Sequence, residues 1–224
     1  MLAGKAAIGI WNGIAPEGRA EFYAWHVREH IPERIGIPGF CRGRRYVAVD
    51  AQTHPAYFTL YEVETFEVLQ GPDYAARLNA PTAWTRVATG YFRDTARALA
   101  HVLDSGGPGM GGCLLTVRFD ADPNSAAQLM ALTRATLEQP RVCGAHLCRA
   151  DLEKSDVRTA ESKDRTDIEA PPAWFILVEA TDPEALAGLL PIEVLVEAGG
   201  TGPFHRGVYQ LEFVRDRDIH PSHH

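Results

Sequence analysis

Hydrophobic and polar positions recur with different periods along the chain, and the periods predict alternating strands and helices. In AYFTLYEV (56–63) the two-residue period places alternating residues on one face of a strand, namely Tyr57, Thr59, Tyr61 and Val63. The other elements predicted in the first half are strands at 5–12, 40–49 and 91–103, and helices at 16–31 and 66–89 with breaks at Gly71-Pro72 and Ala80-Pro81. Local propensity over 91–103 favours a helix, and only the order of elements favours a strand there.

The second half of the chain repeats this order. Its predicted elements are strands at 113–119, 141–150, 173–180 and 205–214, and helices at 124–138 and from Asp182-Pro183 to about Glu197. PAYFTLYEVETFEVL (55–69) aligns with PAWFILVEATDPEAL (172–186), and GFCRGRRYVA aligns with RVCGAHLCRA. Each half therefore reads β-α-β-β-α-β, the ferredoxin-like unit. Because each sheet has an apolar face to bury, we predict an α+β protein whose two tandem ferredoxin-like repeats form a pseudo-dimeric α/β barrel.

The predicted domain organisation follows from a glycine-rich stretch in the middle. We assign 1–104 to a first, site-bearing repeat, 105–112 to a linker, 113–216 to a second repeat and 217–224 to a tail. Residues 151–169 form a charged loop without aromatic residues. A solvated extension is the favoured interpretation of this loop, and a cover over a pocket is the alternative.

Composition and net charge exclude some classes of binding partner. The chain has 224 residues, 46% of them hydrophobic, a net charge of -7 and a pI of about 5.7. This balance argues against binding to nucleic acid or to an anionic membrane surface, and no apolar run reaches the ~18–20 residues that span a bilayer. Four cysteines without a CxxC pair suggest reduced thiols in a cytoplasmic protein. We expect a small-molecule substrate, and a homodimer stays possible.

Two histidines stand out in the first predicted helix. On a helical wheel His26 and His30 share the face that meets the sheet, with His30 near its centre, while Glu29 and Arg28 point away. An imidazole there is either a hydrogen-bonded core residue or a general base lining a pocket. His26 to His30 also spells the H-x-x-E-H zinc string. Pro32 follows at once and no third ligand helix is apparent, so we expect no metal and no other cofactor.

Several polar-tipped residues are candidates for holding a substrate near the histidines. The predicted strands contribute four candidates, Trp11, Asn12, Tyr46 and Tyr61. Each side chain ends in a polar group that could position a small aromatic or carbonyl ligand. Arg34 could hold a carboxylate or an enolate, although a surface salt bridge to Glu33 or Glu29 is the favoured interpretation. The helix predicted at 124–138 has no histidine, so we expect one site per chain.

A family resemblance adds to these patterns. WHVREHIPERIGIPGFCRGRRY, PAYFTLYEVET and NAPTAWTR (79–86) together resemble the dimeric α/β-barrel superfamily, and within it EthD-like and similar bacterial proteins. The resemblance covers 5–103 well and 113–214 only as a pattern. It implies the fold, favours His30 as the shared histidine, and makes Trp84 a further candidate for substrate binding. The superfamily is chemically diverse, so it does not imply one reaction.

We therefore expect a cofactor-independent enzyme that carries out proton-transfer chemistry on a small aromatic or carbonyl metabolite. His30 would be the base, His26 its neighbour, and the reaction an isomerisation, elimination or decarboxylation. A cofactor-free oxygenase is a further possibility. The alternative is a non-catalytic protein that binds a small hydrophobic ligand, or haem through His30 or His26.

Overall fold

Eight antiparallel strands close into a barrel. The computed structural model describes residues 1–163 and 165–217, and its strands are hydrogen-bonded in the order β1-β3-β2-β8-β5-β7-β6-β4. The strands are β1 (Ala6–Ile14), β2 (Phe40–Ala48), β3 (Tyr57–Val63), β4 (Phe92–Gly106), β5 (Cys113–Ala121), β6 (Val142–Ala150), β7 (Trp174–Ala180) and β8 (Gly200–Asp216). The strand predicted at 91–103 is confirmed. All but the first residue of the predicted tail at 217–224 lie outside the described residues.

Short helices pack on the outside of the barrel. They are α1 (Arg19–Trp25), α2 (Ile31–Ile35), α3 (Pro72–Asn79), α4 (Ala83–Thr89), α5 (Ala126–Ala135), α6 (Leu152–Ser155) and α7 (Ile192–Glu197). Turns of 3-10 helix lie at Pro16–Gly18, Phe66–Gln70, Pro123–Ser125, Thr136–Glu138 and Glu184–Leu186. The protein is thus an α+β closed barrel, which confirms the α+β barrel predicted from the sequence. Within the described residues, no helix is long and apolar enough to cross a membrane.

Alternation along each strand divides the core into two layers. The barrel interior is filled by side chains such as Trp11, Tyr46, Phe58, Phe175 and Tyr209. The outer face of the first half packs against α2 and α3 and includes Ile8, Tyr61, Val63 and Leu99. The shared face predicted for β3 is confirmed, because Tyr57, Tyr61 and Val63 all pack outside the barrel.

The two halves have the same strand arrangement. The order β4-β1-β3-β2 in the first half corresponds to β8-β5-β7-β6 in the second. The register of β2 against β3 shifts between Phe40 and Arg42, and that of β6 against β7 shifts between Val142 and Gly144. The glycine-rich connection is shorter than predicted, because β4 continues to Gly106. Gly107 then turns at φ 118, where a Cβ atom would lie 2.3 Å from the Cys143 carbonyl oxygen.

Two sequence predictions about helices are wrong. The helix predicted from Pro183 to Glu197 is interrupted, since Glu184–Leu186 and Ile192–Glu197 are helical and the residues between them are not. Pro32 does not end the first helix. It is the second residue of α2, which follows the preceding helical residues without a break.

The charged loop at 151–169 lies on the barrel, so the solvated-extension interpretation is wrong. β6 pairs only with residues 100–106 of β4, which leaves the upstream edge of β4 open. The loop fills that edge through a parallel bridge between Thr95 and Ile168. Its other end is held by Ser155, whose Oγ accepts a hydrogen bond from the Leu99 N–H at 2.9 Å.

Candidate functional site

A cavity of about 80 Å³ lies between the outer face of the first-half sheet and the loop that crosses it. We call residues 155–163 and 165–171 the covering segment. The walls from the sheet and helices include Ile8, Ile10, Trp25, His30, Arg34, Tyr61, Tyr74, Leu78, Phe92, Thr95 and Arg97. The covering segment contributes Ser155, Asp156, Arg158, Glu161, Arg165 and Glu169, among others. The cavity is therefore apolar on one side and charged on the other.

A π-helical turn at His26–His30 directs His30 into this cavity. The N–H of Ile31 donates to the carbonyl of His26, five residues back, so the turn contains one residue more than an α-helical turn. Such turns are rare and often occur at functional sites. The ring centroids of Trp25 and His30 are 4.2 Å apart and the ring planes are tilted by 31°, so the imidazole packs against the indole.

The environment of His30 keeps its imidazole neutral. The side chain is 5% exposed, and its Nδ1 has no hydrogen-bond partner among the described residues. Burial, and then the positive charge of Arg34 and the neighbouring His26, hold the pKa of His30 well below its usual range. A neutral imidazole on a cavity wall can accept a proton, which an imidazolium cannot.

Tyr61 supplies a second polar group without a partner. It extends from the outer face of β3, is 1% exposed, and its hydroxyl has no hydrogen-bond partner in the part of the chain that the structure describes. Burial raises the pKa of Tyr61, so the phenol stays protonated and can donate a hydrogen bond. The ring centroids of His30 and Tyr61 are 6.4 Å apart.

Arg34 is buried, and the surface salt bridge expected for it does not form. Its guanidinium pairs with Glu161 of the covering segment. Burial alone would lower the pKa of Arg34, but Glu161, Tyr74, Tyr61 and Glu33 together outweigh it and the pKa is raised. Glu33 pairs with Arg77 at 3.1 Å. Glu29 accepts a hydrogen bond from the Thr82 hydroxyl at 2.6 Å, so it does not point freely to solvent.

Other predicted site residues lie away from the cavity. Trp11 has the opposite strand parity to Ile8 and Ile10, and Tyr46 shares its face because both residues pair with Phe58, so both point into the barrel interior. The Trp11 indole N–H donates to the Thr116 hydroxyl at 3.1 Å. The structure thus corrects the prediction that these two aromatic residues line the same pocket as the histidines.

Three further candidates do not line the cavity. Asn12 is buried and its amide donates to the Gly13 carbonyl at 3.2 Å. The Trp84 indole N–H donates to Glu21 on α1, which ties α4 to α1. His26 is stacked on Phe22 with centroids 4.8 Å apart and does not reach the cavity. Of the eight predicted residues, the structure brings together His30, Tyr61 and Arg34.

Sequence reasoning missed several lining residues. Trp25 is one position before His26. A regular helical wheel did not select it as a site residue, whereas the π-helical turn places it beside His30. Glu161 gives no local signal, because its contact with Arg34 joins residues 127 positions apart. Tyr74 and Arg97 come from elements whose facing residues could not be fixed from sequence.

The H-x-x-E-H string does not form a metal centre. In the described ranges 1–163 and 165–217, no group of three or more His, Cys, Asp and Glu side chains is arranged to hold a metal ion. Glu29 turns from the two histidines towards α4, where it accepts hydrogen bonds from Thr82 and Thr85.

Comparisons with known proteins support the fold. No family model matches the sequence, and no curated protein matches it. An anthrone oxidase-like protein superposes with a TM-score of 0.60 and 13% identity, covering 95% of this chain and 92% of the other. A proposed monooxygenase from Lactobacillus acidophilus NCFM superposes with a TM-score of 0.57 and 9% identity, covering 95% of this chain and 97% of the other. A proposed monooxygenase from Fusobacterium nucleatum superposes with a TM-score of 0.55 and 9% identity, covering 96% of each chain. At these identities the similarity establishes a shared barrel fold and no shared chemistry.

Proposed function

We propose that the protein is an enzyme that transfers a proton on a small aromatic or carbonyl metabolite, with His30 as the base and no cofactor. The observation that carries the proposal is the pair of partnerless polar groups, His30 and Tyr61, on the wall of one cavity. A buried polar group without a partner costs about 1–3 kcal/mol. Two such groups facing one cavity are best explained by a ligand that completes their hydrogen bonds.

The chemistry follows from the protonation states of these groups. The neutral imidazole of His30 takes a proton from a carbon next to the substrate carbonyl, and the electron pair moves to the carbonyl oxygen as an enolate. The Tyr61 hydroxyl donates a hydrogen bond to that oxygen, and Arg34 stabilises the negative charge. Return of the proton to another atom gives an isomerisation, and loss of a leaving group gives an elimination.

The walls suit a small, flat ligand. Trp25, Tyr61, Tyr74 and Phe92 contribute aromatic surface. A cavity of about 80 Å³ is smaller than the ~300–1,000 Å³ of pockets for drug-sized ligands, which supports a small substrate over a large hydrophobic one.

The finer family and assembly assignments belong to the same proposal. We infer a tandem ferredoxin-like pseudo-dimer, supported by the matching strand order and register shifts of the two halves. EthD-like membership, a cytoplasmic location and a homodimer are retained as proposals from the sequence. His26 is proposed to support His30 by packing, since it does not line the cavity.

The test is substitution of His30 in a screen for turnover. Purified protein is incubated with small phenols, lactones and keto acids, and products or deuterium uptake from D₂O are followed by mass spectrometry. We expect His30→Gln to reduce turnover or exchange at least ~100-fold, the range of general-base catalysis. His54→Gln, at an exposed histidine, is the matched control.

Thermal unfolding separates chemistry from folding in this test. His30→Gln should unfold within a few degrees of the wild type, since glutamine keeps a polar group of similar reach. Wild-type turnover in a folded His30→Gln variant would show that His30 is a core histidine. A Soret absorption band in the purified wild type would instead favour the haem-binding alternative.

A further inference from the structure

Among the described residues, the ion-pair partner of Arg34 comes from the covering segment. Glu161 is its ion-pair partner, and the two side chains are 5% and 15% exposed. A buried guanidinium requires a counter-charge, because the interior solvates an ion poorly. The other acidic residues that line the cavity, Asp156 and Glu169, are exposed. When Glu161 is displaced, the guanidinium of Arg34 is therefore free to bind another carboxylate.

Glu161 lies between the two anchors of the covering segment. Ser155 is fixed at Leu99, and the backbone around Asp167 is fixed at Thr95, whose N–H donates to the Asp167 carbonyl at 2.8 Å. Between them, the segment is held to the end of α3 by the Glu161 N–H on the Leu78 carbonyl at 3.2 Å and by the Ala160 N–H on Asn79 at 3.3 Å. Displacement of Glu161 would release the contacts at Leu78 and Asn79 and keep both anchors.

Apart from the exposed Asp156 and Glu169, the remaining charged residues of the cavity wall are arginines. Arg97 donates to the Ser155 carbonyl at 3.5 Å, and Arg158 donates to the Ser162 and Arg165 carbonyls at 3.5 and 3.3 Å. Carbonyl groups do not neutralise a guanidinium. Displacing Glu161 therefore leaves the buried guanidinium of Arg34 without its ion-pair partner, in a cavity with aromatic walls.

We propose that the substrate carries a carboxylate, and that this group replaces Glu161 on the guanidinium of Arg34. The inference rests on the proposed function, since it concerns the ligand of the same cavity. The resident partner of Arg34 is itself a carboxylate, so the site already has the geometry for one, and guanidinium binds carboxylates through two parallel hydrogen bonds. The aromatic or unsaturated body of the substrate then lies against Trp25 and Tyr61, within reach of His30.

The test is binding of benzoate, measured by calorimetry against its neutral analogue benzamide. We expect wild-type protein to bind benzoate and not benzamide. Glu161→Gln removes the internal competitor, so benzoate should bind at least tenfold more tightly to this variant. Arg34→Gln should abolish binding. The matched control is Glu153→Gln, which removes an 88% exposed carboxylate that does not line the cavity and should leave the affinity unchanged.

Hydrogen–deuterium exchange of the wild type gives a second measure that needs no variant to fold. Benzoate, and not benzamide, should speed exchange in 156–163, because displaced Glu161 no longer holds that stretch. Equal binding of benzoate and benzamide, an unchanged affinity in Glu161→Gln, or unchanged exchange would overturn the proposal. None of these readouts involves turnover, so loss or retention of activity in His30→Gln decides the proposed function separately.

Discussion

At the scale of single residues, the site is defined by polar groups that burial has left without partners. His26 and His30 are both buried, and the Nδ1 of each lacks a hydrogen-bond partner among the described residues. Burial first, and neighbouring arginines next, hold the pKa of each imidazole well below its usual range. The cost of keeping these side chains neutral in the core appears as a dependence of stability on pH.

We predict that acid destabilises the protein through these histidines. Below the unfolded pKa of about 6.5, the unfolded chain binds protons that the folded chain does not. Stability therefore falls as pH drops from about 6.5 towards the lowered folded pKa values, by up to about 1.4 kcal/mol per pH unit for each histidine. Thermal unfolding between pH 7.5 and 5 measures this, and His26→Gln should flatten the decline.

The exposed His54 provides a control substitution. His54→Gln replaces a histidine that is 71% exposed and lies outside the core. A profile that keeps its full slope below pH 6.5 in both His26→Gln and His30→Gln would contradict the assignment.

At the scale of elements, the cavity depends on close approach between β2, β3 and the helix that carries His30. Gly43 in β2 lies beneath this contact. A Cβ atom there would lie 2.9 Å from Ile31 Cγ2 and 3.1 Å from Tyr61 Cε1. The absence of a side chain at Gly43 thus lets α2 approach the sheet and leaves room for the Tyr61 ring.

We predict that Gly43→Ala destabilises the fold by about 1–3 kcal/mol, the usual cost of overpacking. Tyr61 would be pushed from its position, so ligand binding in the cavity should weaken as well. Urea unfolding measures the first effect. Gly13→Ala in β1 is the matched control, because its Cβ would meet Arg93 at an ordinary 3.5 Å. That change should be neutral or stabilising by up to about 1 kcal/mol through the unfolded state; equal effects of both substitutions would contradict the packing argument.

At the scale of the whole molecule, a buried charge network joins the two halves inside the barrel. Arg44 of β2 pairs with Glu62 at 2.8 Å and with Glu179 of β7 at 3.0 Å. His146 contacts Glu179 at 3.0 Å. Burial alone would raise the pKa of Glu179, but the hydrogen bond with His146 and the charge of Arg44 lower it to about 2. Glu62 and Glu179 occupy equivalent places in the aligned halves, so the network follows the internal repeat.

We predict that Glu179→Gln costs about 3–5 kcal/mol, because it leaves the buried Arg44 short of negative charge. For the wild type, the contribution of Glu179 is present above the unfolded carboxyl pKa of about 4.3 and is lost as pH falls towards 2. Chemical denaturation at neutral pH measures the cost. The control is Glu64→Gln, whose carboxylate is 57% exposed and pairs with Arg217 at the surface. A loss below about 0.5 kcal/mol would show that the network contributes no net stability.

Local periodicity was enough to predict the strands and the parity of their side chains. The outward face of β3 follows from a two-residue period, and β4 follows from the repeat even though its propensity favours a helix. The inward placement of His30 follows from a helical wheel. These features depend on neighbours within a few residues, or on the similarity of the halves, and both are visible in the sequence.

Tertiary structure alone decided which side chains meet. That Trp11 and Tyr46 point into the barrel interior is evident only from the closed sheet. The π-helical turn that brings Trp25 beside His30 has no signal in the amino-acid composition. The pairing of Arg34 with Glu161 spans 127 positions. Such contacts arise because closure of the barrel leaves one strand edge open for a charged loop, and that geometry is a property of the assembled sheet rather than of any segment.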